Sequence, residues 1–225
     1  MCTAADFQHI DVESEDWKDP DDGVVKNVSL REFFDDDYHL RAVCVLLGAP
    51  STNKTQVAEA MASEMARRYA ETEEPYYIKV GSVAALKPVK DYLRSGVPVM
   101  FEEFGAADSQ QQRSVFSVNF LKQLADVEGG GTCRAIGNDI AFAPHQPRFI
   151  CYNGTVDEFM PMLGQTTEMH KEAIKKRCIC FNIRERMIKE ELVQDHKAQR
   201  RAMIEAGKKR AAELDAERSK RARND

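Results

Sequence analysis

The stretch LLGAPSTNKTQVAEAMA, residues 46–62, decides the fold. It starts as the end of an apolar run, RAVCVLLG (41–48), whose β-branched members and terminal glycine read as a buried strand entering a loop. It finishes inside KTQVAEAMASEMARRYAE (54–71), where Val57, Ala60, Met61 and Met65 recur at three- and four-residue spacing among good helix formers. Between strand and helix lie Gly48, Ala49, Pro50, Ser51, Thr52, Asn53, Lys54 and Thr55, nearly the order of a phosphate-binding loop. Such a loop turns backbone N–H groups and a helix N-terminus towards phosphate oxygens. In that arrangement Lys54 reaches the β- and γ-phosphates and the Thr55 hydroxyl holds Mg²⁺. The departure is Asn53, where the pattern has glycine. Asparagine is the side chain that best tolerates a left-handed backbone, at about 1 kcal/mol, so the loop survives the exchange.

Outward from this stretch, strand and helix patterns alternate. YYIKVGS (76–82) and VPVMFEEF (97–104) read as strands, with VAALKPVKDYLRSG (83–96) between them as a short helix interrupted near Pro88. A helix is predicted over 107–127, then a hairpin in CRAIGNDIAF (133–142) turning at Gly137 and Asn138, then strands at RFICYN (148–153) and KRCICFNI (176–183). Alternation of this kind predicts an α/β domain with a central parallel sheet covered by helices, over 29–184. SLREFF (29–34) reads as a helix with Ser29 as its N-cap. Residues 1–28, rich in Asp and Glu, read as an acidic, loosely docked arm, and 185–225 as a long basic, charged helix.

Two further strand ends carry chemistry. VPVMFEEF closes on adjacent carboxylates, which suits a division of labour: Glu102 holds Mg²⁺ through water and Glu103 polarises an attacking water. RFICYN ends on Asn153, which in a sheet with a phosphate loop senses the γ-phosphate or orients water. An Asn-Gly pair after a strand is also a common turn, so the order of the motifs carries this assignment.

GAPSTNKT, VPVMFEEF and RFICYN, in this order between Gly48 and Asn153, with a hairpin before the third, resemble the superfamily 3 helicase domain. More narrowly they are similar to the helicase half of the Rep initiators of circular single-stranded DNA viruses and their cellular relatives. The resemblance covers roughly 40–184. It implies a P-loop NTPase of the AAA+ type that uses ATP and Mg²⁺, assembles as a homo-oligomer, usually a hexameric ring, and moves along single-stranded DNA, with RNA as the alternative strand. It implies a replication-related ATPase and helicase, with catalytic roles for Lys54, Glu103 and Asn153. An arginine from the neighbouring subunit completes such a site, and Arg177 is the candidate, with Lys176 second. The hairpin segment that touches nucleic acid in the family corresponds here to Arg134 to His145, whose tip lacks a lysine. Residues 1–40 contain only His9 and His39 and no room for the family's nicking domain. Asn53 and the Glu102 that stands for the commoner Asp keep a second function open: a module that binds nucleotide, hydrolyses it poorly, and engages nucleic acid or protein.

Composition supports one soluble domain with an appendage. No run approaches 18 apolar residues, and the N-terminus is acidic where a signal peptide is basic and then apolar, which predicts an intracellular protein without a membrane partner, in nucleus or cytoplasm. The six cysteines form no CxxC pair and sit mostly in apolar runs, as buried thiols do; Cys178 and Cys180 fit strand alternation better than metal ligation. Residues 171–225 hold 17 Lys and Arg against 10 Asp and Glu, while the whole chain is at −5. A basic end on an acidic body suits a polyanion, a nuclear localisation signal, or simply a solvated helix.

Overall fold

The computed structural model describes residues 12–69, 76–81, 83–102, 118–135, 138–162, 168–185 and 187. Short antiparallel strands β1 (Trp17–Lys18) and β2 (Val25–Lys26) precede helix α1 (Leu30–Asp35) and a 3-10 helix (Asp37–Leu40). Strand β3 (Val43–Gly48) leads into α2 (Lys54–Arg68); β4 (Ile78–Val80), a 3-10 helix (Val83–Tyr92) and β5 (Val99–Phe101) follow. Helix α3 (Val118–Ala125), the hairpin β6 (Gly131–Ala135) and β7 (Asn138–Phe142), β8 (Arg148–Asn153), α4 (Val156–Met162), α5 (Glu168–Lys175) and β9 (Cys178–Asn182) complete the described elements.

Five strands form one parallel sheet in the order β4-β5-β8-β3-β9. The chain leaves β3 through α2, crosses to β4 at the far edge, and returns by β5 and β8 before passing over β3 to β9. Parallel crossovers are right-handed, so this reversal of direction puts the outgoing and returning helices on opposite faces. The core divides accordingly. Cys44 and Leu46 of β3, Phe149 and Cys151 of β8, and Ile179 and Phe181 of β9 pack with Leu30 and Phe33 of α1 and Val57, Met61 and Met65 of α2. Val43, Val45 and Leu47, Ile150, Cys178 and Cys180 point the other way, onto Leu86, Leu124, Phe159 and Ile174. All six residues of β3 are buried, as expected of the central strand of a sheet covered on both faces.

Local chemistry fixes the element ends. Ser29 caps α1 through a capping box: its hydroxyl accepts from the Glu32 amide while the Glu32 carboxylate accepts from the Ser29 amide. Pro88 lacks an amide hydrogen, and the segment around it is 3-10 rather than α-helical. Asn138, expected with Gly137 in the hairpin's turn, lies instead in β7 and pairs with Ala135, while Gly137 is outside the described residues. Ile140 and Phe142 are both buried in the core, and this demand sets the register. Cys44, Cys151, Cys178 and Cys180 are buried thiols, so the cysteine pair of β9 faces apolar core. Among the described residues no helix is long and apolar enough to cross a membrane. Of the helix expected over 107–127, only α3 and the two residues after it fall within the described residues, and the C-terminal helix lies outside them from residue 188 on.

The acidic arm is a correction. From Val12 onward it is not loosely docked but pinned to the outer edge of β9. The Ser14 amide donates to Val28 O, the Glu15 amide to Cys180 O, and Ser14 bridges Phe181 in antiparallel sense. Trp17 is buried, packs edge-on to Tyr38, and donates its indole N–H to Lys176 O at 3.0 Å. Asp19 is buried as well; burial pushes its carboxyl up, but hydrogen bonds from Lys26 and the Asp21 amide, with the charges of Lys26 and Arg41, bring it below its ordinary value.

His39 ties α1 to the end of α2. Its Nδ1 lies 3.3 Å from Phe33 O and its Nε2 2.7 Å from the Tyr69 hydroxyl. Burial, the largest influence, lowers its pKa below the ordinary value, against smaller opposing effects of Phe33, Asp36 and Asp37. The unfolded chain therefore takes the proton first on acidification, and folding stability contributed by His39 falls as pH drops from about 6.5 through the lowered pKa. A His39→Gln variant is expected to lose less Tm between pH 7 and pH 5 than the parent, measured by thermal denaturation across that range.

Candidate functional site

Open α/β sheets bind ligands outside the carboxyl ends of the strands, where adjacent strands send their connections to opposite faces. Here those strands are β3 and β8. Their ends are in register, Gly48 opposite Asn153, so the loop expected to bind phosphate and the polar residue expected beside it are neighbours. The backbone closes the pair further: the Gly48 amide donates to Gly154 O at 2.9 Å and the Gly154 amide to Gly48 O at 3.2 Å. Gly48 has φ +141, and a Cβ there would lie 2.2 Å from Ile183 O, beyond β9. Only glycine fits.

After Gly48, Ala49 and Pro50 are exposed and Ser51 takes φ +69. Thr52 turns back, its hydroxyl donating to Ala49 O at 2.9 Å. Asn53 sits at φ 69, ψ 20, the left-handed conformation anticipated from its replacing glycine, and is the N-cap of α2. Its side chain makes no cap hydrogen bond, and Oδ1 is buried without a hydrogen-bond partner among the described residues. The first-turn amides of α2 thus have no side-chain cap, which leaves donors and the positive end of a 15-residue helix directed at the loop.

Lys54 opens that helix. It is 4 % exposed, and its ammonium donates to Gly48 O at 2.9 Å, Ala49 O at 2.6 Å and Thr52 Oγ1 at 3.2 Å. Burial lowers its pKa, and among the described residues no carboxylate forms an ion pair with it. A buried cation held by neutral oxygens, beside uncapped helix amides, favours an anion. Thr55, half-buried, follows in the first turn.

Glu102 lies just past β5, its amide held by Val80 O. Its carboxylate is 2.9 Å from the Lys79 ammonium, which also meets Glu59 of α2 at 2.7 Å. Cys151 of β8 connects this group to the loop. Burial pushes its thiol up to about 12, Lys54 and Lys79 act in the opposite sense, and Glu102 and Glu59 add to the rise. One strand position therefore feels both the loop lysine and the β5 carboxylate. Glu103 lies outside the described residues.

The remaining expected residues lie elsewhere. Arg177 precedes β9 and His145 precedes β8, so both are at the amino ends of the strands; along β8 that is about 16 Å from Asn153, at ~3.3 Å per residue. The Arg177 carbonyl accepts from the Val43 amide, and its side chain lines a groove of about 440 Å³ with Arg41, Asp126, Glu128 and Glu172. His145, at φ 55, is exposed and places Nδ1 3.0 Å from Leu40 O. Arg134 is in β6, opposite Asp139 in the hairpin. Neither His145 nor Arg177 can serve the loop of its own chain from there.

The oxygen donors Thr55 and Glu102 fit the chemistry of a hard divalent cation, and Lys54 with the uncapped amides fits a phosphate. Among the described residues no cluster of three His, Cys, Asp or Glu side chains suits a metal held by protein alone. Compared with protein-family models the chain matches none, and comparison with curated proteins gives no significant match.

The loop's geometry makes two substitutions diagnostic. Gly48→Ala is expected to destabilise the fold by about 2 kcal/mol or more, since backbone strain and a backbone clash combine. Asn53→Gly is expected to change stability by less than about 1 kcal/mol, because glycine accepts the same angles. Chemical denaturation of both variants reads the difference.

Proposed function

We propose that this chain is a P-loop nucleoside triphosphatase of the superfamily 3 helicase type, which binds ATP with Mg²⁺ and couples hydrolysis to movement on single-stranded nucleic acid. The observation that carries the reading is the left-handed Asn53 opening an uncapped helix, with Lys54 buried behind it and Asn153 in register beside Gly48. Lys54 exchanges its carbonyl partners for the β- and γ-phosphate oxygens, an anion it lacks among the described side chains. The amides at the start of α2 bind the same phosphates. Thr55 and Glu102 would hold the magnesium ion, which when bound neutralises phosphate charge and orients the leaving group. Glu103, next in sequence, takes the proton of the attacking water, and Asn153 orients that water. Arg177, at the opposite end of the sheet, serves a neighbouring copy in a homo-oligomeric ring, and the hairpin with Arg134 meets the strand.

A second reading is favoured by the ion pair between Lys79 and Glu102: a module that binds nucleotide and turns it over slowly. The experiment that separates them is ATP hydrolysis by the purified chain with Mg²⁺, with and without single-stranded DNA. The motor reading expects stimulated turnover that falls by about 10²-fold or more in Glu103→Gln, the scale of a lost general base. Tight ATP binding without turnover supports the second reading. Lys54→Ala is expected to abolish nucleotide binding in both, and unchanged affinity in that variant would overturn both.

A further inference from the structure

Lys79 belongs to no motif, yet it stands where three elements meet. It is the outward position of the three-residue edge strand β4, between buried Ile78 and Val80, and strand alternation points it at the α2 side of the sheet. There its ammonium bridges Glu59, five residues into α2 from Lys54, and Glu102 at the end of β5. All three side chains are about one-third exposed, so the bridge can be remade rather than locked. Glu102 is at the same time the carboxylate assigned to the metal.

We propose that Lys79 is a built-in competitor for the metal: it holds Glu102 until a magnesium nucleotide displaces it, and Glu59 retains the released ammonium. This inference rests on the nucleotide-binding reading above. A cation already on the metal's carboxylate raises the magnesium concentration needed to recruit it. Glu59 lowers that barrier, because Lys79 keeps one partner when it loses the other. The longer Glu at position 102 suits the arrangement, since its side chain has the reach to meet either cation. Lys79 is thus a positioning residue that acts through Glu102 and touches no phosphate.

Removing Lys79 and removing Glu59 give opposite expectations, which a purely structural bridge does not. The probe is a fluorescent ATP analogue bound to the full chain while Mg²⁺ is titrated in from excess chelator, with thermal melting as a check of folding. Lys79→Met is expected to lower the magnesium midpoint by about two- to fivefold, the range of a partly exposed ion pair. Glu59→Gln is expected to raise it by a similar factor, Lys79→Arg to restore it, and analogue affinity without metal to stay unchanged in all three. Lys79→Met is expected to bring no gain where Glu102 is already Gln. Coincident midpoints in the parent, Lys79→Met and Glu59→Gln, all binding the analogue, would overturn the proposal and leave the nucleotide reading intact. Absence of analogue binding by the parent at any magnesium concentration overturns the nucleotide reading, and the proposal with it. If Lys79→Met melts early, Glu59→Gln on the helix surface decides, and an unshifted midpoint there overturns the proposal.

Discussion

Three chain segments meet on the backbone of Gly48, and the site exists because that residue has no side chain. Its amide and carbonyl are engaged by Gly154, and its Cα lies against the carbonyl of Ile183. The ends of β3, β8 and β9 are thereby drawn together at one point. The loop that follows has little freedom: Ser51 and Asn53 both turn left-handed, Thr52 closes on Ala49, and Lys54 is drawn back under the turn. The proposed anion cradle is thus made chiefly of main chain, which does not need reorganising when charge arrives.

The sheet order gives this point its surroundings. Because β8 lies between β3 and β5, the residue that ends β8 faces the loop, while the carboxylate that ends β5 approaches from one strand further. Cys151, in β8 two residues before Asn153, is a buried thiol between the strand that leads into the loop and the strand that ends at Glu102. The opposite end of the same strands holds Arg177 and His145, so the molecule presents two chemically different ends.

Much of this was legible in the letters, because local rules wrote it. The strand-loop-helix order came from periodicity, the Ser29 cap from its residue type ahead of a helical apolar pattern, and the Asn53 angle from the chemistry of its amide side chain. What escaped reading depends on partners far along the chain. The indole of Trp17 is held by a carbonyl 159 residues away, which the acidic composition of its segment gives no sign of. Lys79 lies in a stretch read only as a strand, and the register of β4 on β5 and the packing of α2 set it between two carboxylates. Asn138 belongs to β7 and pairs with Ala135 rather than standing in the turn, and two and four residues on Ile140 and Phe142 enter the core.

The central place of β3 also has a consequence for how the chain comes into being. Its sheet partners are β8 and β9, so a strand of six apolar or small residues made near the beginning pairs only with segments made much later. At synthesis rates of ~5–20 residues per second, roughly 5–20 s separate the appearance of Gly48 from that of Asn153. Through that interval the future core strand has helix α2 to lean on but no ladder on either side. Loops of such length also make the pairing slow once both strands are present. An apolar strand left unpaired over that interval is the kind of exposed surface that favours aggregation during folding.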